Sequence, residues 1–229
     1  MAEDPHLVSP GQACRKARHV PRDLPLSNGS LLVNFDSTYQ LRDLYWPHVG
    51  SENHTDGHIF RIGIWVDGVF VWMDDPRWVR QLRYDSETLV TQVVLSLPDL
   101  QLDINCQDAV DFHENLFVRR IEVGNTADRD REIRLFFHHD FHISGHELGD
   151  TAYYEPERRA VYHYKGPRWF LINTAVPGKL PEDARDSVQG WHIGVHQWAC
   201  GHKELKRLEG TWKDAEDGLL SGNPIAQGS

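Results

Sequence analysis

Five residues able to ligate a metal or move a proton crowd into nine positions: His138, His139, Asp140, His142 and His146. On a strand, His138, Asp140 and His142 share one face, because side chains two apart point the same way, while His139 turns to the other. Two imidazoles with a carboxylate between them suit zinc or non-haem iron. The same spacing also suits a hydrogen-bonded strand surface, with His139 a satisfied core histidine, and the sequence offers no distant third ligand. The expectation is therefore no metal and no cofactor, with His138, Asp140 and His142 as the metal alternative.

A second concentration runs Tyr45-Trp46-Pro47-His48-Val49-Gly50-Ser51-Glu52-Asn53-His54-Thr55. It reads as a long loop between strands, aromatic and polar at once, and loops on a rigid scaffold are where binding groups tend to sit. Trp46, His48, Glu52 and His54 are its candidates for contact with a substrate or a neighbouring domain. The two histidines and the glutamate have the chemistry to move a proton or to orient a sugar hydroxyl. The plainer reading is a loop packed against the rest of the molecule.

Eight tryptophans are many for this length. They stack well on the apolar faces of sugar rings, but they are also large core residues of β proteins. Trp46 and Trp212 lie in loop contexts and are expected to be exposed. No Gly-x-Ser-x-Gly elbow or phosphate-binding glycine loop is present. Cys14, Cys106 and Cys200 lack a persuasive catalytic partner. They are odd in number and far apart, which points to free thiols in a reducing compartment, taken here as the cytoplasm. Asp214, Glu216 and Asp217 read as a solvated acidic cluster.

The elements that must position these groups are strands. Between Ser30 and His142 the pattern has period two, clearest where Leu100, Leu102, Ile104 and Cys106 alternate with Gln101, Asp103, Asn105 and Gln107. Only a strand with one buried face needs that alternation. Ile133, Leu135, Phe137, His139, Phe141 and Ile143 form a second apolar line. Asp67-Gly68 marks a tight hairpin, and Lys165-Gly166-Pro167 separates two further strands. A strand is also possible over Trp191–Trp198, after a polar loop over Pro177–Asp186; Lys203–Leu208 is short and charged. Successive strands with short connections and no intervening helical pattern predict an all-β chain, a large antiparallel β-sandwich.

Composition narrows the partners. The 229 residues carry Lys+Arg 24 against Asp+Glu 34, a formal charge of −10. Such a balance argues against nucleic acid and against an anionic membrane surface. No apolar run is long enough to span a bilayer.

Several segments, in this order, resemble one family. They are Leu24-Pro25-Leu26-Ser27-Asn28-Gly29-Ser30-Leu31-Leu32-Val33-Asn34-Phe35-Asp36, Leu41-Arg42-Asp43-Leu44-Tyr45-Trp46-Pro47-His48-Val49-Gly50 and Glu52-Asn53-His54-Thr55. Phe136-Phe137-His138-His139-Asp140-Phe141 and Gly210-Thr211-Trp212-Lys213-Asp214-Ala215-Glu216-Asp217-Gly218 follow. Together they resemble the N-terminal domain of bacterial and archaeal family 15 glycoside hydrolases, the glucoamylase- and trehalase-like enzymes.

The resemblance implies an antiparallel super-sandwich placed before an (α/α)6 barrel of the same polypeptide. In that family two barrel glutamates hydrolyse α-glucosidic bonds with inversion, standing about 6.5–9.5 Å apart to admit a water. None of the barrel lies in this sequence, so no residue here inherits a catalytic role. The implied partners are that barrel and, through it, an α-glucan or α-glucoside. The expected organisation is a flexible lead-in over 1–20, the sandwich over 21–200, and a polar tail over 201–229. That tail would open the closing strands and the linker to the barrel, with the sandwich cut short before its last strands.

Overall fold

The structure is a computed structural model and describes residues 24–177, 187–188, 191–201 and 212–227. The expected lead-in over 1–20, most of the polar loop after Pro177, the 203–208 segment and the side chain of Trp212 lie outside the described residues.

Every paired strand is antiparallel. β1 (Leu24–Ser27), β2 (Leu32–Phe35) and β3 (Leu41–Tyr45) form a first meander. β4 (Arg61–Val66) and β5 (Val69–Trp72) form a hairpin whose turn is Asp67-Gly68, both at positive φ (52° and 80°) as that tight turn requires. A four-stranded meander follows: β6 (Val79–Tyr84), β7 (Thr91–Leu97), β8 (Leu102–Val110) and β9 (Phe117–Asn125). β10 (Ile133–His138) then returns to pair with β4.

β11 (Thr151–Glu155), β12 (Ala160–Lys165) and β13 (Arg168–Ile172) build another meander, the turn after β12 passing through Gly166-Pro167. β14 (Ala175–Pro177), β15 (Ser187–Val188) and β16 (Trp191–Ile193) make a small sheet in the order β14-β16-β15. β17 (Ile225–Gln227), from the expected tail, adds to the free side of β11. The described residues include short 3₁₀ turns and no α-helix, and no helix long and apolar enough to cross a membrane.

The predicted alternation is realised where one face meets water and the other meets protein. Val93, Leu95 and Leu97 of β7 and Leu102, Ile104 and Cys106 of β8 are at most 1% exposed. They join one apolar cluster with Leu24, Leu26, Val33 and Phe35 of the first meander and with Ile62, Ile64 and Val66 of β4. Intervening positions such as Gln92, Gln107, Arg120 and Glu122 carry polar side chains on the opposite face. The protein is thus an all-β sandwich, with the β6–β9 sheet packed on the first meander and on β4.

The second apolar line departs from its strand pattern. Ile133 and Leu135 pack on the core, but Phe137 is 39% exposed while Phe136 is buried. Phe136 pairs with Gly63, whose missing side chain leaves space for the Phe70 ring; a Cβ there would lie 2.3 Å from it. Phe70 and Phe136 then pack edge to face, with centroids 5.7 Å apart, so the second face of this sheet has its own aromatic cover. β10 also stops at His138, opposite Arg61 where β4 begins; Phe60 bridges Leu41 instead, and the chain after β10 turns to the His54 carbonyl, which accepts the His142 N–H.

Polar contacts tie the layers together inside the core. The fully buried Asp108 accepts hydrogen bonds from Tyr39 Oη (2.6 Å), Thr91 Oγ1 (2.9 Å) and Arg119 Nε (2.6 Å). Arg119 lies over the rings of Phe35, Tyr39 and Phe117 at 5.0, 4.9 and 5.4 Å. Burial alone would weaken its charge, but Asp108 reverses that and holds its proton more firmly than water does. Tyr39 takes φ 63°, a left-handed conformation unfavourable for a bulky side chain, and its bond to Asp108 helps hold it there.

Asp108→Ala strands a buried guanidinium and should lower unfolding free energy by about 3–5 kcal/mol. An exposed substitution such as Glu122→Ala should stay within about 0.5 kcal/mol. Urea unfolding of the two variants beside the parent checks both values.

Candidate functional site

The loop after β3 is built from its base outward. Asn53 turns its side chain inward: its Oδ1 accepts from the backbone N–H groups of Leu44 and Thr55, and its Nδ2 donates to Asp43 at 3.0 Å. Thr55 Oγ1 donates to the Arg42 carbonyl at 2.5 Å. These bonds close the loop onto the strand that launched it.

His54 is fully buried at the heart of this arrangement. Its Nδ1 accepts the Ser144 N–H at 3.1 Å, so its Nε2 carries the hydrogen and donates to the Trp46 carbonyl. That pair of bonds fixes the neutral tautomer. Burial pushes the imidazole below its usual range. Its ring lies 4.8 Å from Phe170 of β13. The expectation of a loop acid or base at position 54 gives way to a neutral structural histidine, because a charged ring there would lose water and one hydrogen bond.

Glu52 is likewise committed. Arg168 donates to its two oxygens at 2.8 and 2.9 Å, in the two-pronged geometry that guanidinium favours. Those bonds hold the Glu52 carboxyl below the usual range, so it stays an anion and does not act as a general acid near neutral pH. Arg168 also lies over the Trp46 ring at 5.4 Å, and Phe170 meets that ring edge-on at 5.9 Å. Trp46, expected exposed, is therefore half-buried, clamped between the loop and β13. His48 alone of the four candidates stands exposed at the tip. The arrangement makes a stiff ledge with one accessible imidazole.

The metal alternative regroups. His138 ends β10 beside Trp72, with centroids 6.4 Å apart, while Asp140 and His142 lie past the strand and meet His58 instead. The sequence reading missed His58, which the fold brings close where the His142 N–H donates to the His54 carbonyl at 2.9 Å. It also missed Arg168, whose position just after the Gly166-Pro167 turn was the available signal. Cys106 and Cys200 are buried and their thiols pushed up to about 11 by desolvation, so neither is a ready nucleophile.

The outer face of the β11–β13 sheet is the other concentration of binding-type side chains. Tyr164 and Trp169 stack at 4.3 Å and 8°, and Tyr153 and Tyr162 stack at 5.3 Å and 12°. Trp169 and Leu171 are about half exposed (50% and 51%).

No family model matches the chain. It is 26% identical over 112 residues to an uncharacterized glycosyl hydrolase of Methanocaldococcus jannaschii, a match covering 49% of this chain and 17% of that protein. Its fold is similar to part of a bacterial glucoamylase whose crystal structure holds acarbose: the TM-score is 0.55 at 9% identity, over 66% of this chain and 22% of that one. The chain thus spans about a fifth or less of the length of the proteins it resembles. The first likeness is one of sequence over about half of this chain, and the second is one of fold.

Two histidines set a pH dependence of stability. Burial depresses His54, and it pushes His139, ringed by Phe60, Phe141 and His163, down to about 3. In the unfolded chain both titrate near about 6.5. Between the folded and unfolded values the unfolded state binds more protons, so this stabilisation is complete above about pH 6.5 and lost as pH falls toward 3. The urea midpoint should drop between pH 7.5 and pH 5, and His139→Gln should flatten that slope.

Proposed function

We propose that this chain is the non-catalytic N-terminal β-sandwich of a glucoamylase-type glycoside hydrolase of family 15. In this reading the (α/α)6 barrel of the same polypeptide hydrolyses an α-glucan or α-glucoside with inversion, and the sandwich buttresses that barrel and rims its mouth. The observation that carries it is the glucoamylase-like fold, joined to the sequence likeness to a glycosyl hydrolase. The site chemistry supports a scaffold role. Glu52 is held as an anion by Arg168, and His54 is neutral and enclosed, so the ledge offers shape and stiffness in place of an acid–base pair. Trp46 and the exposed His48 form the contact. As part of the same reading the protein is cytoplasmic, which the free buried thiols Cys106 and Cys200 support.

A second reading has its own observation. The exposed Trp169 and the stacked tyrosines beside it give an aromatic surface of the kind that binds pyranose rings, as a carbohydrate-binding module does.

The 229-residue chain should release no glucose from maltooligosaccharides; sustained release would overturn the non-catalytic reading. In the polypeptide carrying the barrel, Trp46→Ala with His48→Ala should lower the thermal midpoint or kcat/KM. Parent-like values for both would remove the contact role. Maltooligosaccharide titration of this chain, followed by tryptophan fluorescence, is expected to be flat; saturable quenching that Trp169→Ala abolishes would bring the binding-module reading forward.

A further inference from the structure

We propose that His58, Asp140 and His142 form a binding site for one divalent transition metal of the zinc class, independent of any contact with carbohydrate. Each residue offers one ligand atom, and the three atoms lie within 4.8 Å of one another. Asp140 stands between the imidazoles, its Oδ2 3.2 Å from Nδ1 of His58 and its Oδ1 3.5 Å from Nε2 of His142.

The backbone brings these side chains together before any ion does. The His142 N–H donates to the His54 carbonyl at 2.9 Å, and the His58 N–H closes a turn on the Thr55 carbonyl at 2.7 Å. Exposure grades outward, from 6% for the His142 side chain through 26% for Asp140 to 47% for His58, which gives the site a closed floor and an open mouth. Behind His142, its Nδ1 faces the Glu147 carboxylate at 3.8 Å. That carboxylate sets negative charge behind the ring, where a ligand imidazole gains from it.

The donor set selects the class of ion. Two imidazole nitrogens and one carboxylate suit zinc or cobalt(II), whereas magnesium and calcium prefer oxygen alone. With bonds of about 2.0–2.2 Å, tetrahedral zinc holds its ligand atoms roughly 3.3–3.5 Å apart, so a pair at the 4.8 Å limit must close by about 1.3–1.5 Å.

The ring geometry says which residue moves. The imidazoles of His58 and His142 lie face to face, with centroids 3.6 Å apart and planes 14° from parallel. One ion cannot lie in both of two separated parallel planes, so binding requires one ring to turn. His58, the more exposed, has the room. The bound ion takes three protein ligands and a water, and it pins the 54–58 turn to the segment after β10, bracing the ledge from below.

The test is calorimetric titration of zinc chloride into the tag-free 229-residue chain, freed of metal by chelator and dialysed. One site is expected, with a rise in thermal midpoint on zinc addition and with tetrahedral absorption bands when cobalt(II) is the probe. His58→Ala, a change at an exposed side chain, and Asp140→Asn should each weaken zinc binding by at least about tenfold. Circular dichroism checks that both variants keep the parental fold. Absence of binding heat, or zinc affinity equal to the parent's in His58→Ala, overturns the proposal. Neither readout involves glucan hydrolysis, so failure here leaves the scaffold reading untouched.

Discussion

A carboxylate with no exposure to water is tolerable only when its charge is paired and both oxygens are hydrogen-bonded, and Asp108 meets that condition by recruiting groups from three directions. Thr91 comes from the neighbouring strand β7, Arg119 from β9 on the other side, and Tyr39 from the turn between β2 and β3 in the facing layer. The distances leave little latitude. Sliding β9 by one residue would send Arg119 to the polar face and leave the charge unpaired. Register within the large sheet and the position of the first meander over it are thereby fixed together. The three aromatic rings around the guanidinium extend the same contact, since Arg119 lies over each of them while bonded to Asp108.

The ledge follows the same logic at the other end of the sandwich. Its polar groups are satisfied inward: Asn53 against Asp43, Thr55 against the Arg42 carbonyl, His54 against Trp46 and Ser144. A loop so occupied with its own backbone has little chemistry left to offer, but it keeps a fixed shape. Such a surface has little conformational freedom left to lose in the contact proposed for it.

The parts of this arrangement that were legible in the sequence are those decided locally. The alternation through Leu102, Ile104 and Cys106 needs only water on one side and protein on the other, and the Asp67-Gly68 turn needs only two residues tolerant of positive φ. Other features depend on partners far along the chain. His138 ends its strand opposite Arg61, where β4 starts, which nothing near His138 reveals. Glu52 loses its role as an acid to Arg168, 116 positions away, and Asp140 finds His58 at a separation of 82. Phe136 is inside and Phe137 half out because Gly63 vacates space for a ring from yet another strand. Period-two reasoning assigns one wet face and one dry face, and this sheet is covered on both.

The pairing of β10 with β4 also carries a message about the order of assembly. Its register joins Ile133 to Val66, and the whole β6–β9 meander lies in the stretch between them. Closing so long a stretch as free chain is entropically unfavourable, whereas hairpins of adjacent strands close locally. A meander formed first shortens the remaining span, since it presents residue 79 and residue 125 on its two outer strands instead of at the ends of a loose coil. The sandwich is therefore expected to assemble from its largest sheet outward, with the seam between β4 and β10 among the last to zip and the first to part.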